Sequence, residues 1–128
     1  MLLFLGCLSV LKTTGQKKVW LDVNWNGTSK EKAVYYNVFS DPKDDNELVV
    51  YYYISGKKAK ESYFVKGKKE GQSVEFYAAG EIKVVGKYEG GFKEGMWKTY
   101  YNNGKMKEKG RYNKGEKIGV WKLFYKNN

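Results

Sequence analysis

The sequence predicts an all-β chain: an elongated antiparallel β-meander of 24-residue hairpin repeats, forming a single twisted sheet. Three observations predict it: a fixed repeat interval, a composition suited to short strands, and alternation of side-chain character between turns. Gly56, Gly80 and Gly104 stand 24 residues apart, as do Gly71, Gly95 and Gly119, and Gly67, Gly91 and Gly115. Tyr53, Tyr77, Tyr101 and Tyr125 keep that interval, and the residues before them, Tyr52, Phe76, Tyr100 and Phe124, are all aromatic. Phe64, Tyr88 and Tyr112 form a further column, and Trp97 pairs with Trp121. Such agreement marks an architecture of stacked units. Twelve Tyr and fifteen Gly against one Pro favour short strands joined by tight turns over a helical bundle.

Taken in order, the chain opens with an apolar run of about 11 residues, too short for the roughly 20 of a spanning helix. Residues 1–16 read as a secretory signal, with Thr13 and Gly15 at the −3 and −1 positions of a cut before Gln16. It lacks a basic leading region, so a start upstream of Met1 is part of the expectation. A lipoprotein signal at Phe4-Leu5-Gly6-Cys7 is the second reading. Either way the chain is expected to be exported: periplasmic, associated with the outer membrane, or extracellular. Residues 17–46 read as a capping hairpin, with strands at Val19–Val23 and Ala33–Phe39. Between them Thr28-Ser-Lys-Glu31 has the spacing of a capping box and predicts one helical turn.

Residues 47–128 hold the repeats: units at 47–71, 72–95 and 96–119, then a half unit at 120–128. In the third unit Trp97–Tyr101 predicts a strand, Asn103-Gly104 the positive-φ pair of a type I′ turn, and Lys105–Tyr112 the return strand. A looser connection, Asn113–Gly119, leads onward. Alternation places Trp97, Thr99 and Tyr101 on one face with Met106, Glu108, Gly110 and Tyr112. Gly86 and Gly110 leave space for a large ring from a neighbouring strand to lie across the backbone.

The charge is +10, and removing everything before Gln16 takes away one cation and no acid. An excess of this size favours acidic or phosphate-bearing partners without naming one. No His is present and Cys7 is the sole Cys, which removes the commonest general base, an internal disulfide and a thiolate metal site. No Gly-x-Ser-x-Gly or Walker loop occurs. The expectation is a non-catalytic protein, with no catalytic residues, no cofactor and no metal. Two sets of candidate binding residues remain. One is an aromatic stripe, Trp97, Tyr101, Tyr112, Trp121 and Tyr125, suited to a sugar or a quaternary ammonium but more simply the core of a one-layer sheet. The other is a basic face of Lys98, Lys105, Lys107, Lys109, Arg111 and Lys122, with Lys83 and Lys87 from the preceding unit. Its partner is expected to be protein, with anionic lipid or an envelope glycan as alternatives. Nucleic acid is disfavoured for an exported chain. The last strand, Val120–Tyr125, is an edge through which two copies could pair.

The residues Gly95-Met-Trp-Lys-Thr-Tyr-Tyr-Asn-Asn-Gly-Lys105, then Gly110-Arg-Tyr112 and Gly119-Val-Trp121, resemble the MORN-repeat-variant family. Its repeat runs Gly-x-Trp-x-x-Tyr-Tyr-x-Asn-Gly-Lys, followed by Gly-x-Tyr and a Gly-rich link. The resemblance covers residues 47–128. Val49 and Ser73 depart from it where Trp is expected, and Ser62 where Gly is expected. Trp25 and Ala33-Val-Tyr-Tyr36 look similar to short secreted bacterial proteins carrying these repeats. Trp-x-x-Tyr-Tyr and Gly-x-Met are also shared with choline-binding repeats. The resemblance implies a curved antiparallel sheet and no reaction. Classical MORN repeats are associated with membranes and scaffolding, and some variants carry an antitoxin label, which implies masking of a toxin as a further alternative.

Overall fold

The computed structural model describes residues 16–40 and 45–126. The signal or lipobox reading and the link at residues 41–44 lie outside the described residues. Nine strands form one sheet in sequence order, each antiparallel to the next: β1 (Gln16–Leu21), β2 (Tyr35–Ser40), β3 (Asn46–Tyr53), β4 (Lys58–Val65), β5 (Lys68–Phe76), β6 (Ile82–Glu89), β7 (Phe92–Tyr100), β8 (Met106–Asn113) and β9 (Glu116–Leu123). The sheet is not closed into a barrel. No described helix is long and apolar enough to cross a membrane.

The leading hairpin joins the repeat sheet through β2, where Tyr35, Tyr36 and Asn37 face Tyr53, Tyr52 and Tyr51. Its first strand ends at Leu21, two residues short of the sequence expectation. The reason is Asp22, whose carboxylate accepts the backbone N–H groups of Asn24 (2.8 Å) and Asn26 (3.0 Å) and folds the chain into a turn. The helical turn is a 3₁₀ turn at Lys30–Lys32. Ser29 stands at its N-cap without a side-chain bond, and the Thr28 N–H instead reaches the Trp20 carbonyl. The capping box is therefore not formed.

Two kinds of turn alternate along the repeats, in the reverse of the places the sequence predicts for them. Positive φ at two successive residues, the mark of type I′, occurs at Lys66-Gly67, Gly90-Gly91 and Lys114-Gly115, in the connections between units. The expected loose connection after Asn113 is thus a tight hairpin. At Asn103-Gly104 only the glycine has positive φ (88°), and the Gly104 N–H donates to the Tyr101 carbonyl at 3.0 Å. That is a three-residue loop closed by a bulge, with the Asn103 Oδ1 accepting the Lys105 N–H.

With one layer, the sheet must bury its rings against itself. Trp97 lies flat over Gly86, and Trp121 over Gly110, so that a Cβ at either glycine would overlap the indole outright. Tyr88, Trp97, Tyr112 and Trp121 then follow edge-to-face, with centroids 5.2, 5.9 and 5.1 Å apart. Trp97 retains only 6% exposure. Each indole reaches its glycine because the strand bulges beside it, at Gly95 and Gly119, both at positive φ.

Gly86→Ala is therefore expected to lower stability by about 1–3 kcal/mol or more through overpacking. Gly27→Ala, at a glycine with nothing near its Cβ position, is expected to stay within about 0.5 kcal/mol of the parent. Urea unfolding followed by tryptophan fluorescence compares the two directly. Equal effects would contradict the ring-on-glycine packing.

Candidate functional site

Cross-strand register divides the candidate residues between two faces. Trp97 and Trp121 belong to the ladder face, together with Thr99, Glu108, Gly110, Tyr112 and Leu123. Lys98, Lys109 and Lys122 form one row across β7, β8 and β9 on the opposite face. Met96, Arg111 and Ile118 form the next row, and Val85 extends the first onto β6. Lys107 is not in this array. It is the extra residue of the bulge opposite Thr99/Tyr100, and its ammonium stands 5.7 Å from the Tyr101 ring. Tyr101 is spent structurally, its hydroxyl donating to the Phe124 carbonyl at 2.7 Å. Tyr125 is 75% exposed beyond β9. β9 pairs only with β8 among the described strands and exposes Val120 and Leu123. Trp97 and Trp121 thus do not share a surface with the Lys98, Lys109 and Lys122 row.

Two columns are not among those the sequence analysis singles out, and a third gains a role. Lys69, Lys93 and Lys117 keep the 24-residue interval, and each places its ammonium over ladder rings: Tyr88 at 4.8 Å, Trp97 at 4.7 Å and Trp121 at 4.3 Å. Glu70 and Glu94 are likewise 24 apart, and their carboxylates accept the N–H groups of Gly90 and Lys114, both at 2.9 Å, pinning the next type I′ turn. The Tyr column has a role at the opposite end. The hydroxyls of Tyr53, Tyr77 and Tyr101 each donate at 2.7 Å to a carbonyl 23 residues on, those of Phe76, Tyr100 and Phe124. Repeated Lys-Glu-Gly at 69–71 and 93–95 was the available signal for the first two.

The departures from the repeat meet in one place. Val49 and Ser73, which replace Trp, face Ser62, which replaces Gly, in a single row across β3, β4 and β5. The two serine hydroxyls share a hydrogen bond of 2.6 Å and are 2% and 4% exposed. With no indole to fill the row, a cavity of about 430 Å3 opens beside it. Val19, Leu21, Phe39, Val49 and Phe64 give it apolar walls, and Asn37, Glu47, Lys60 and Lys69 give it polar groups. Trp25 forms part of the rim, stacked on Tyr35 at 4.0 Å and edge-on to Tyr51 at 5.5 Å, with the Lys60 ammonium 5.0 Å from its ring. Its backbone sits at φ 68°, a conformation costing a bulky residue about 1–3 kcal/mol. The Asp22 turn and the Tyr35 stack hold it there. Among the described residues, no three His, Cys, Asp or Glu side chains gather as a metal site.

Burial raises the phenols of Tyr51, Tyr53 and Tyr88 above the ordinary 10.0, with Glu47 adding to the effect at Tyr51 and Glu75 at Tyr53 and Tyr88. Burial lowers Lys69 below 10.5, helped by the charges of Lys60 and Lys93 and opposed by Glu75. A raised phenol binds its proton more tightly folded than unfolded. Its contribution is therefore complete below pH 10.0 and lost as pH rises through the folded values. Lys69 acts in the opposite sense, gaining stability as its proton leaves, but one amine opposes three phenols. The sheet is expected to unfold on the alkaline side with a jump in phenolate absorbance that coincides with the loss of circular dichroism. Phenolate appearing well before unfolding would contradict the burial of these rings.

No protein-family model matches the sequence, and no curated protein is significantly similar to it. Among solved structures, this chain is similar to S. aureus TarM, crystallised as a point mutant with fondaparinux, α-GlcNAc-glycerol and UDP. The TM-score is 0.38 at 11% identity, over 84% of this chain and 22% of that one. A likeness at that level says nothing of what this chain binds.

Proposed function

We propose that this chain is a non-catalytic binding or scaffolding module that engages an acidic protein surface through the face carrying Lys98, Lys109, Arg111 and Lys122. One observation carries the reading. Lys98 faces Lys109, and Lys109 faces Lys122, so three like charges stand in direct cross-strand register. Like charges so placed destabilise a sheet. None of the three takes part in an ion pair among the described residues, whereas Lys58, Lys87 and Lys117 do. A row that costs the fold stability is understood when a partner supplies the missing carboxylates. Exposed Met96 and Ile118 beside Arg111 add apolar contact of the kind protein interfaces use. The resemblance to MORN repeat variants is in keeping with such a role. The Lys98, Lys109 and Lys122 row lies on the face opposite Trp97 and Trp121, so a glycan reader using that row would lack those two rings.

Lys109→Glu converts both like-charge contacts into opposite-charge ones. It is expected to raise stability by up to about 1 kcal/mol and to weaken partner binding by about tenfold or more. Cross-linking capture from host extract, at low and high salt, with parent and variant side by side, checks the binding. Sedimentation with phosphatidylglycerol vesicles and with an acidic polysaccharide checks the alternatives. Capture that is indifferent to both salt and Lys109→Glu would overturn the reading, and charge-dependent sedimentation with vesicles alone would replace protein by lipid.

A further inference from the structure

We infer that the cavity where Val49, Ser62 and Ser73 interrupt the ring ladder binds a small amphiphilic monoanion, an aryl or alkyl carboxylate or sulfonate, independently of the basic face. Its volume, about 430 Å3, falls within the range of small-molecule pockets. Three cross-strand rows pave it: Glu47, Phe64 and Lys69; Val49 and Ser62; Tyr51 and Lys60, with Ser73 and Glu75 continuing the last two rows outside the lining. The middle row is small, and its two buried hydroxyls share one hydrogen bond in which only one of them donates, so it offers a floor with a single hydroxyl proton left over. Val19, Leu21 and Val49 supply an apolar wall for the body of a ligand, and the Trp25 and Tyr51 rings supply an aromatic end.

The charge at the cavity selects the head group. Lys60 and Lys69 line it with a single carboxylate, Glu47, leaving one positive charge in excess. Each ammonium is held against a ring, Lys60 over Trp25 and Lys69 over Tyr88, which fixes the stems while leaving hydrogen-bonding protons available. Lys69 is held below the ordinary amine value, because it is partly desolvated and feels the charges of Lys60 and Lys93, with Glu75 opposing them. An anion at the cavity offsets those like charges. The left-handed backbone of Trp25 is a further sign, because strain in a bulky residue at a cavity rim is common where a site must be kept open. In the full repeats the same row is closed by Trp97 or Trp121, so the hollow belongs to the leading half of the sheet.

Two fluorescent probes with the same ring system test the inference on the full chain: 1-anilinonaphthalene-8-sulfonate and the neutral N-phenyl-1-naphthylamine. The sulfonate is expected to saturate at one molecule per chain and to bind about tenfold more tightly than the neutral probe, as a charge-assisted contact provides. Lys60→Met with Lys69→Met, which keeps the apolar stems, is expected to remove that difference. Val49→Phe, which fills the hollow, is expected to weaken both probes. Amide NMR shifts caused by the sulfonate should centre on Val49, Ser62 and Phe64, a readout that needs no variant to fold. Equal affinity for the two probes in the parent, non-saturating uptake, or shifts centred on Trp97 and Trp121 would each overturn the proposal.

Discussion

A flat indole resting on a backbone without a Cβ is the contact on which this sheet depends. A single layer has no opposing layer to cover its apolar side, so side chains can be buried only by lying down on neighbouring strands. Trp97 does so over Gly86 and Trp121 over Gly110, and the edges of Tyr88 and Tyr112 close the gaps between them. Lys93 and Lys117 cover the outward faces of the rings with their ammonium groups and stems. Without room over the glycines the indoles would stand upright in water, and most of the burial available to the repeat would vanish.

The two margins of the ribbon are fastened by different chemistry. On one, a tyrosine hydroxyl reaches from each hairpin to the next; on the other, a glutamate grips the following type I′ turn. Both contacts join adjacent units, so cohesion is a nearest-neighbour matter, as in other stacked-repeat architectures. The ladder does not run the whole length. From β5 towards β1 the indole is replaced by Val49 and Ser73, and packing passes to the Trp25–Tyr35–Tyr53 cluster on the ladder face and the Trp20–Tyr36–Tyr52 cluster on the other.

Much of this was legible from residues alone, because period and alternation are geometric. The 24-residue interval carries the meander, and Gly86 and Gly110 in the sequence already announce the ring-on-backbone contact. Turn assignment failed for a physical reason: Asn103-Gly104 is the favoured type I′ pair, yet the bulge beside it absorbs one residue and leaves only the glycine left-handed. Lys107 departs from its expected face because of a separate bulge opposite Thr99 and Tyr100, which breaks the simple alternation on which face assignment rests. The Glu70 and Glu94 clamps were hidden because their partners lie 20 residues away on a different hairpin. The hollow was hidden too. Val49, Ser62 and Ser73 read as three separate lapses from a pattern, and only register shows them side by side.

Fastening at both margins also turns the basic face into a ruler. Neighbouring strands cannot fan apart, so the backbone positions that carry Lys98, Lys109 and Lys122 recur at the strand spacing, about 4.8 Å per step, in a direction perpendicular to the chain. Alternate side chains along a single extended peptide recur at about 6.8 Å and fall out of phase with that row after one step. Acids presented from successive strands of another sheet would stay in step with it.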